Sequence, residues 1–321
     1  MDSASINKVR KVAIDCSSSG QRIDNFLMRE LGGLPKSKIY NIIRKGEVRV
    51  NGGRIKPMYK LKDGDEVRIP PVRISQDKAK PVAGDGVKEL IGNSIIFEDE
   101  AFIVIDKPSG LAVHGGSGIN IGLIEVLRQM RQDERFLELV HRIDRDTSGC
   151  ILIAKKRSRL REIHELLRTN KVDKRYCLLV RGSWQQGLAV IDKPLKKFNL
   201  KSGERMVRVS EDGKKSVTRI KILQRYNQAT LLEAKLETGR THQIRVHVAS
   251  CGKAIFGDEK YSSKDDLELN KKIGGKRLFL HSASLEFTLP SSGKKYTIVS
   301  QLPDDLKAVL NNLQETGELN A

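Results

Sequence analysis

The sequence predicts an α+β protein in two parts. A small helix–helix–hairpin unit comes first, followed by a larger region with a largely antiparallel mixed sheet flanked by helices. Three observations predict this. The 321 residues exceed a typical single domain, so two domains are expected. In the larger part, segments with strand character outnumber helical ones and often follow one another directly, without the helical crossovers that a doubly wound parallel sheet needs. Between the parts, Ser75 to Lys88 is polar, contains Pro and Gly and has little periodicity, so 75–88 reads as a linker.

Residues 1–15 read as a flexible arm and 16–74 as the small unit. Arg22 to Leu31 carries Ile23, Phe26, Leu27 and Leu31 on one helical face, and Gly32-Gly33 ends it. Pro35 and Ser37 open a second helix, with Ile39, Ile42 and Ile43 inward and Lys36, Lys38, Arg44 and Lys45 outward; Gly46 ends it. Val48 and Val50 alternate with charged residues as a strand, and Asn51-Gly52 is a strong tight-turn signal. Gly64-Asp65 leads into a last strand, Glu66 to Ile69, closed by Pro70-Pro71.

Residues 89–321 mix both periods. Ser94 to Phe97 and Phe102 to Ile105 are short apolar strands, and Ile121 to Arg131 and Ser158 to Thr169 are helices. Ile151 to Ala154, Tyr176 to Val180, Thr218 to Leu223 and Thr230 to Leu236 are strands. Leu285 to Leu289 and Lys295 to Ser300 form a hairpin, and Asp304 to Leu313 is a closing helix. Thr238 to His247 alternates like a strand. It reads better as a helix capped by Thr241, because Ile244 and Val248 fall at i and i+4 and Gly252 can end it.

Composition narrows the function. Lys and Arg total 59 against 40 Asp and Glu, a net charge of +19, which argues for an anionic partner. From Gly20 to Arg73, thirteen basic residues oppose six acidic ones. No apolar run reaches the ~20 residues of a membrane span, and the first eight residues lack the apolar core of a signal peptide. Cys16, Cys150, Cys177 and Cys251 are scattered with no C-x-x-C, so they support neither a zinc site nor a redox motif and read as reduced cytosolic thiols. His242 and His247 lack metal-motif spacing, and neither a G-x-G-x-x-G fingerprint nor a Walker loop is present.

The most informative stretch is His141-Arg-Ile-Asp-Arg-Asp-Thr-Ser-Gly149. Asp144 lies between Arg142 and Arg145, and nearby positive charge favours an ionised acid, which can act as nucleophile or general base. Taken alone, the pair fits an acid that caps or pairs with an arginine on a surface turn better than a reactive one. A hydrolase using Ser148 is disfavoured, because Asp146 and Cys150 occupy the glycine positions of G-x-S-x-G.

The stretch resembles the His-Arg-Leu-Asp-x-x-Thr-Ser-Gly signature of the RluA-type pseudouridine synthases, with Ile143 for the usual Leu. Four further blocks extend the likeness: Asp106-Lys-Pro-Ser-Gly-Leu111 with Val113-His114 (Asp106 for the usual Asn), Lys174-Arg-Tyr176, Thr238 to Arg245, and Arg277 to His281. Ala254 to Asp258 lacks a proline often found there, and Tyr261 is followed by Ser rather than Gly. The small unit resembles an S4 domain, a module that binds structured RNA, through Gly20 to Asp24, Pro35 to Ser37, Arg44 to Asn51 and Gly64-Asp65. The resemblance implies an isomerase that converts uridine to pseudouridine, in large-subunit ribosomal RNA or its assembly precursor. It implies Asp144, Tyr176 and Arg245 as catalytic residues, with Arg245 pairing with Asp144 and Tyr176 stacking on the base. Arg142, Lys107, His114, Arg240, His242 and Leu280 would contact the substrate; Arg22, Lys36, Lys38, Arg44 and Lys45 would contact RNA. No cofactor or metal is called for, because the reaction is neither redox nor group transfer to a second molecule. A cytoplasmic monomer bound to neither membrane nor DNA is expected. A non-catalytic RNA-binding or ribosome-assembly protein on the same fold stays open as the alternative.

Overall fold

The computed structural model describes residues 9–16, 18–32, 34–72, 81–115, 121–199 and 205–313. It forms two compact units, Met1–Pro81 and Val82–Ala321.

In the first unit, α1 (Ile23–Glu30) and α2 (Lys36–Arg44) pack through the stripes read from their spacing, burying Ile23, Phe26, Leu27, Ile39, Ile42 and Ile43. Tyr40 on α2 donates to Asp24 on α1 at 2.9 Å, tying the helices on their polar side. The sheet has the order β1 (Arg10–Ala13), β4 (Glu66–Ile69), β2 (Arg49–Val50), β3 (Gly53–Arg54). Asn51 and Gly52 join β2 to β3 with φ of 49° and 79°, the two positive values that a two-residue hairpin of the I′ type needs. Residues 1–8 of the expected arm lie outside the described residues, as does Gly33. Residues 10–13 correct that expectation: they pair antiparallel with β4, from Arg10 opposite Ile69 to Ala13 opposite Glu66. Their side chains are mostly exposed, so main-chain hydrogen bonding to an open edge makes this strand and no apolar pattern announces it.

In the second unit, one ten-stranded sheet runs β10 (Val190–Asp192), β13 (Val217–Tyr226), β14 (Ala229–Leu236), β9 (Asp173–Arg181), β15 (Leu280–Thr288), β8 (Ser148–Ala154), β6 (Phe102–Lys107), β5 (Ile95–Glu98). β16 (Lys295–Val299) pairs with β15, and β7 (Glu138–Leu139) with β8. The pairs are antiparallel except β15 with β8, which run parallel where His281 faces Ser148 and Ser282 faces Gly149. The sheet is therefore mixed and largely antiparallel, as the run of adjacent strands predicts. Gly149 is required at that junction: its φ is +104°, and a Cβ there would lie 2.3 Å from the Ser282 carbonyl oxygen.

Both faces of the middle of this sheet are covered. Ile103, Ile105, Ile151 and Ile153 face one cluster with α4 (Leu123–Met130). Phe102, Val104 and Leu152 face another with α5 (Arg157–Arg168), Phe287 and Tyr296. A strand buried on both faces loses alternation, which is why β6 and β8 read as plain apolar runs. The linker expectation is corrected at its end, because α3 (Asp85–Asn93) begins inside it. Only Ile91 of that helix is buried, leaving too thin a stripe to show in the sequence. Two further elements carry no apolar signal: the hairpin β11 (Leu195–Asn199) with β12 (Arg205–Val209), and α7 (Lys264–Lys272), whose start is a capping box between Ser263 and Asp266. α6 (Gln243–Ala249) and α8 (Asp304–Asn311) complete the unit.

Candidate active site

Asp144 sits in the loop between β7 and β8, and backbone contacts hold that loop. Lys107, at the end of β6, is completely buried. Its Nζ donates to the carbonyls of Pro108, Leu111 and Arg145, each at 2.8 Å. Gly110 N–H donates to the Arg145 carbonyl at 2.9 Å, and Ser109 Oγ to the Asp146 carbonyl at 2.7 Å. This corrects the expectation that Lys107 touches substrate. Burial lowers its pKa to about 7, against the upward pull of Asp146 and Asp144. Yet three acceptors match the three N–H bonds of the ammonium form, so the geometry favours the charged state. Lys107→Met strands the carbonyls of Pro108 and Leu111, while that of Arg145 keeps Gly110 N–H; at ~1–3 kcal/mol for each unsatisfied group it should destabilise the unit by about 2 kcal/mol or more. A urea melt with an unchanged midpoint would remove this bracing role.

The flanking arginines do not serve Asp144 as their adjacency suggests. Arg145 pairs with Asp146, Nε to Oδ1 at 2.8 Å, and Arg142 is exposed at the rim. The charge beside Asp144 comes from α6. Arg245 Nη1 is 3.6 Å from Asp144 Oδ2, and His242 Nε2 is 3.9 Å from the same oxygen. Arg245 is itself gripped by Asp258, Nε to Oδ2 at 2.8 Å and Nη2 to Oδ1 at 2.6 Å. Asp258 has no exposed side-chain surface and also accepts backbone N–H from Lys260 at 3.0 Å and Tyr261 at 3.3 Å. Burial pulls the guanidinium pKa down, but Asp258 and then Asp144 outweigh it, so the pKa is raised and Arg245 stays charged. Asp258 was missed as a site residue, although it ends the Ala254 to Asp258 block; nothing local says which cation it meets.

The helix starts one residue later than read. His242, not Thr241, is its N-cap, with φ 52° and ψ 21° in the left-handed region. Among the described residues no side chain caps the helix; the Gln243 side chain instead holds the turn before it, accepting from Arg240 N–H at 3.0 Å and Thr238 Oγ1 at 2.8 Å. Its Nε2 donates to the Val217 carbonyl at 3.0 Å, which ties the turn to β13.

These groups line a cavity of about 380 Å³ together with Tyr176 from β9, Lys174, Arg240 and Leu280, within the ~300–1,000 Å³ usual for ligand sites. Tyr176 is 5% exposed, and burial holds its hydroxyl pKa above the ordinary value. Leu280, at the start of β15, is buried wall. His141 is structural: its Nε2 accepts Leu152 N–H at 3.3 Å, and burial lowers its pKa to about 3. His114 is exposed and not among the lining residues, so the structure does not bring it to the cavity. Ser148 is 2% exposed, accepts from Arg277 Nη1 at 3.2 Å and sits 3.0 Å from His281 Nδ1, which gives a hydrolase reading no accessible nucleophile. Among the described residues no group of three or more His, Cys, Asp or Glu side chains is gathered as a metal site, and no helix is long and apolar enough to cross a membrane.

In the first unit Lys36, Lys38, Arg44 and Lys45 are exposed on and just after α2. Arg22 is held by Asp24, Nη2 to Oδ2 at 2.5 Å.

Residues 101–250 match the RNA pseudouridylate synthase family and residues 21–67 the S4 domain. The chain is 53% identical to ribosomal large subunit pseudouridine synthase C of Haemophilus influenzae, over 97% of each protein. It is 51% identical to the protein of that name from Escherichia coli strain K12, over 95% of this chain and 97% of that one. Human RNA pseudouridylate synthase domain containing 4 superposes with a TM-score of 0.58 at 25% identity, covering 72% of this chain and 98% of that one. With an aspartate, a buried arginine and a tyrosine gathered at one cavity, the chain belongs to the RluA-type family of RNA pseudouridine synthases, is built as an S4 domain followed by a synthase domain, and isomerises uridine to pseudouridine in RNA.

Proposed function

We propose that the cavity takes a uridine of large-subunit ribosomal RNA, turned out of its stack, and that Asp144 is the group that carries the isomerisation. The single observation behind this is the Asp144 carboxylate, held beside buried Arg245 in a cavity of nucleotide size. In the reaction the N1–C1′ bond breaks, the uracil turns, and a C5–C1′ bond forms. The C5 hydrogen leaves as a proton and N1 gains one, so atoms and electrons balance without a cofactor. Tyr176 and Leu280 line the cavity and would supply the stacking surface, and the retained proton of Tyr176 suits a hydroxyl that donates or relays. Arg142, exposed at the rim, would fill the space left by the flipped base; Arg240 would meet a flanking phosphate. The large-subunit substrate is supported by relatives of that name that match along nearly all of both chains, and a cytoplasmic monomer is the matching setting.

The test is a map of pseudouridines in large-subunit ribosomal RNA from cells with and without this gene. Sites lost in the deletion and restored by the gene are expected; an unchanged map would reject this substrate. Tyr176→Phe is expected to keep RNA affinity and lower turnover if the hydroxyl moves a proton, with Tyr176→Ala worse. Full activity in both variants would remove Tyr176 from the site.

The exposed Lys36, Lys38, Arg44 and Lys45, with Arg22, are assigned to RNA phosphates. Deleting residues 1–81 is expected to weaken RNA binding and reduce the slope of log affinity against log salt by ~0.7–0.9 per lost contact. Unchanged affinity and slope would make this basic face a solvated surface only.

A further inference from the structure

We propose that His242 is a positioning residue for Asp144: a neutral imidazole whose Nε2–H, set by Tyr261, anchors Oδ2 and leaves Oδ1 as the reacting oxygen. This rests on the catalytic reading of Asp144 above. The geometry behind it is a chain of three groups. Val207 N–H, on β12, donates to the Tyr261 hydroxyl oxygen at 3.2 Å. That hydroxyl lies 2.8 Å from His242 Nδ1. Because its oxygen already accepts from Val207, we assign the Tyr261 hydroxyl as the donor to Nδ1, which places the ring proton on Nε2. The opposite tautomer would point a lone pair at a carboxylate oxygen. Nε2 faces Asp144 Oδ2 at 3.9 Å, the same oxygen that Arg245 approaches at 3.6 Å. Two donors thus converge on one oxygen of the carboxylate.

His242 is also held there at a cost. Its backbone is left-handed, φ 52°, a region that non-glycine residues visit rarely and that clusters at functional sites. The Arg245 guanidinium lies over the Tyr261 ring, 5.2 Å from its centroid. Burial lowers the His242 pKa; Asp144 pulls upward, while Arg245 and Lys260 push down. The ring is therefore a neutral donor at pH 7. A separation of 3.9 Å exceeds a hydrogen bond, but active-site contacts tighten when substrate binds.

Two isosteres separate this role from a structural one. The Nε2 amide of Gln reaches where the imidazole Nε2 stands, so His242→Gln keeps a donor toward Asp144. The Asn amide overlays Nδ1 instead. Asn tolerates the left-handed backbone, so His242→Asn keeps a partner for Tyr261 but cannot reach Asp144. The experiment measures kcat and KM of both variants on an unmodified ribosomal RNA fragment, beside Asp144→Asn. Positioning predicts a fall of ~10–100-fold in kcat for His242→Asn, the range of one hydrogen bond to a charged group. KM should be unchanged, and His242→Gln should recover most of the loss. Equal kcat in the two variants, a better Asn than Gln variant, or a loss confined to KM would overturn the proposal. An active Asp144→Asn enzyme would overturn it together with the catalytic reading, whereas an inactive one beside equal His242 variants overturns the positioning role alone.

Discussion

Asp144→Asn is expected to abolish pseudouridine formation, by a factor on the order of 10⁴ or more, while RNA affinity and stability stay at the parent level. The substitution keeps the shape of a half-buried side chain and removes only its charge and one oxygen acceptor. The loop around it keeps its form, because its braces are the backbone bonds from Lys107, Ser109 and Gly110, none of which uses the carboxylate. A tritium-release assay from 5-tritiated uridine in RNA reads the chemistry, and a binding titration reads the affinity. Parent-like turnover would end the catalytic assignment.

Arg245→Met carries the second large effect, and it has two parts. The sequence suggests an arginine that serves only Asp144, whose loss would be silent for folding. The structure gives it a second and tighter partner. Asp258 is fully buried and takes two short N–H bonds from the guanidinium. Removing one member of a buried pair costs ~3–5 kcal/mol, because the other charge is stranded. Arg245→Met should therefore lose that much stability as well as most of its turnover. Arg245→Met with Asp258→Asn removes the stranded charge and is expected to regain much of the stability while staying inactive. Denaturant melts beside single-turnover rates separate the parts. A double variant that regains turnover would show that Arg245 acts only by keeping the fold.

The first helices of the chain were legible because their stripes are local: Ile23, Phe26 and Leu27, then Ile39, Ile42 and Ile43, recur at the helical period and bury as read. The Asn51-Gly52 turn was legible for the same reason, since two left-handed residues prescribe a hairpin by themselves. β1 and α3 were not. The first is a strand by virtue of the open edge of β4, and the second buries one residue; neither leaves a periodic trace.

The site divides along the same line. Residue chemistry and contiguous motifs, read in the sequence alone, determined the family, the α+β class and the choice of Asp144, Tyr176 and Arg245, which the fold does gather at one cavity. Tertiary structure alone decided what each charge meets. Arg145 turns to its neighbour Asp146, Lys107 points inward to three carbonyls, and Arg245 is clamped by Asp258 across a turn. The physical reason is that a motif specifies which groups a segment carries and which face they share. The partner of a charged side chain depends instead on how separate segments meet, here β6 against β8, which sets Lys107 beside the loop of Arg145, and α6 against the turn that carries Asp258, and on which acid is buried deeply enough to need it.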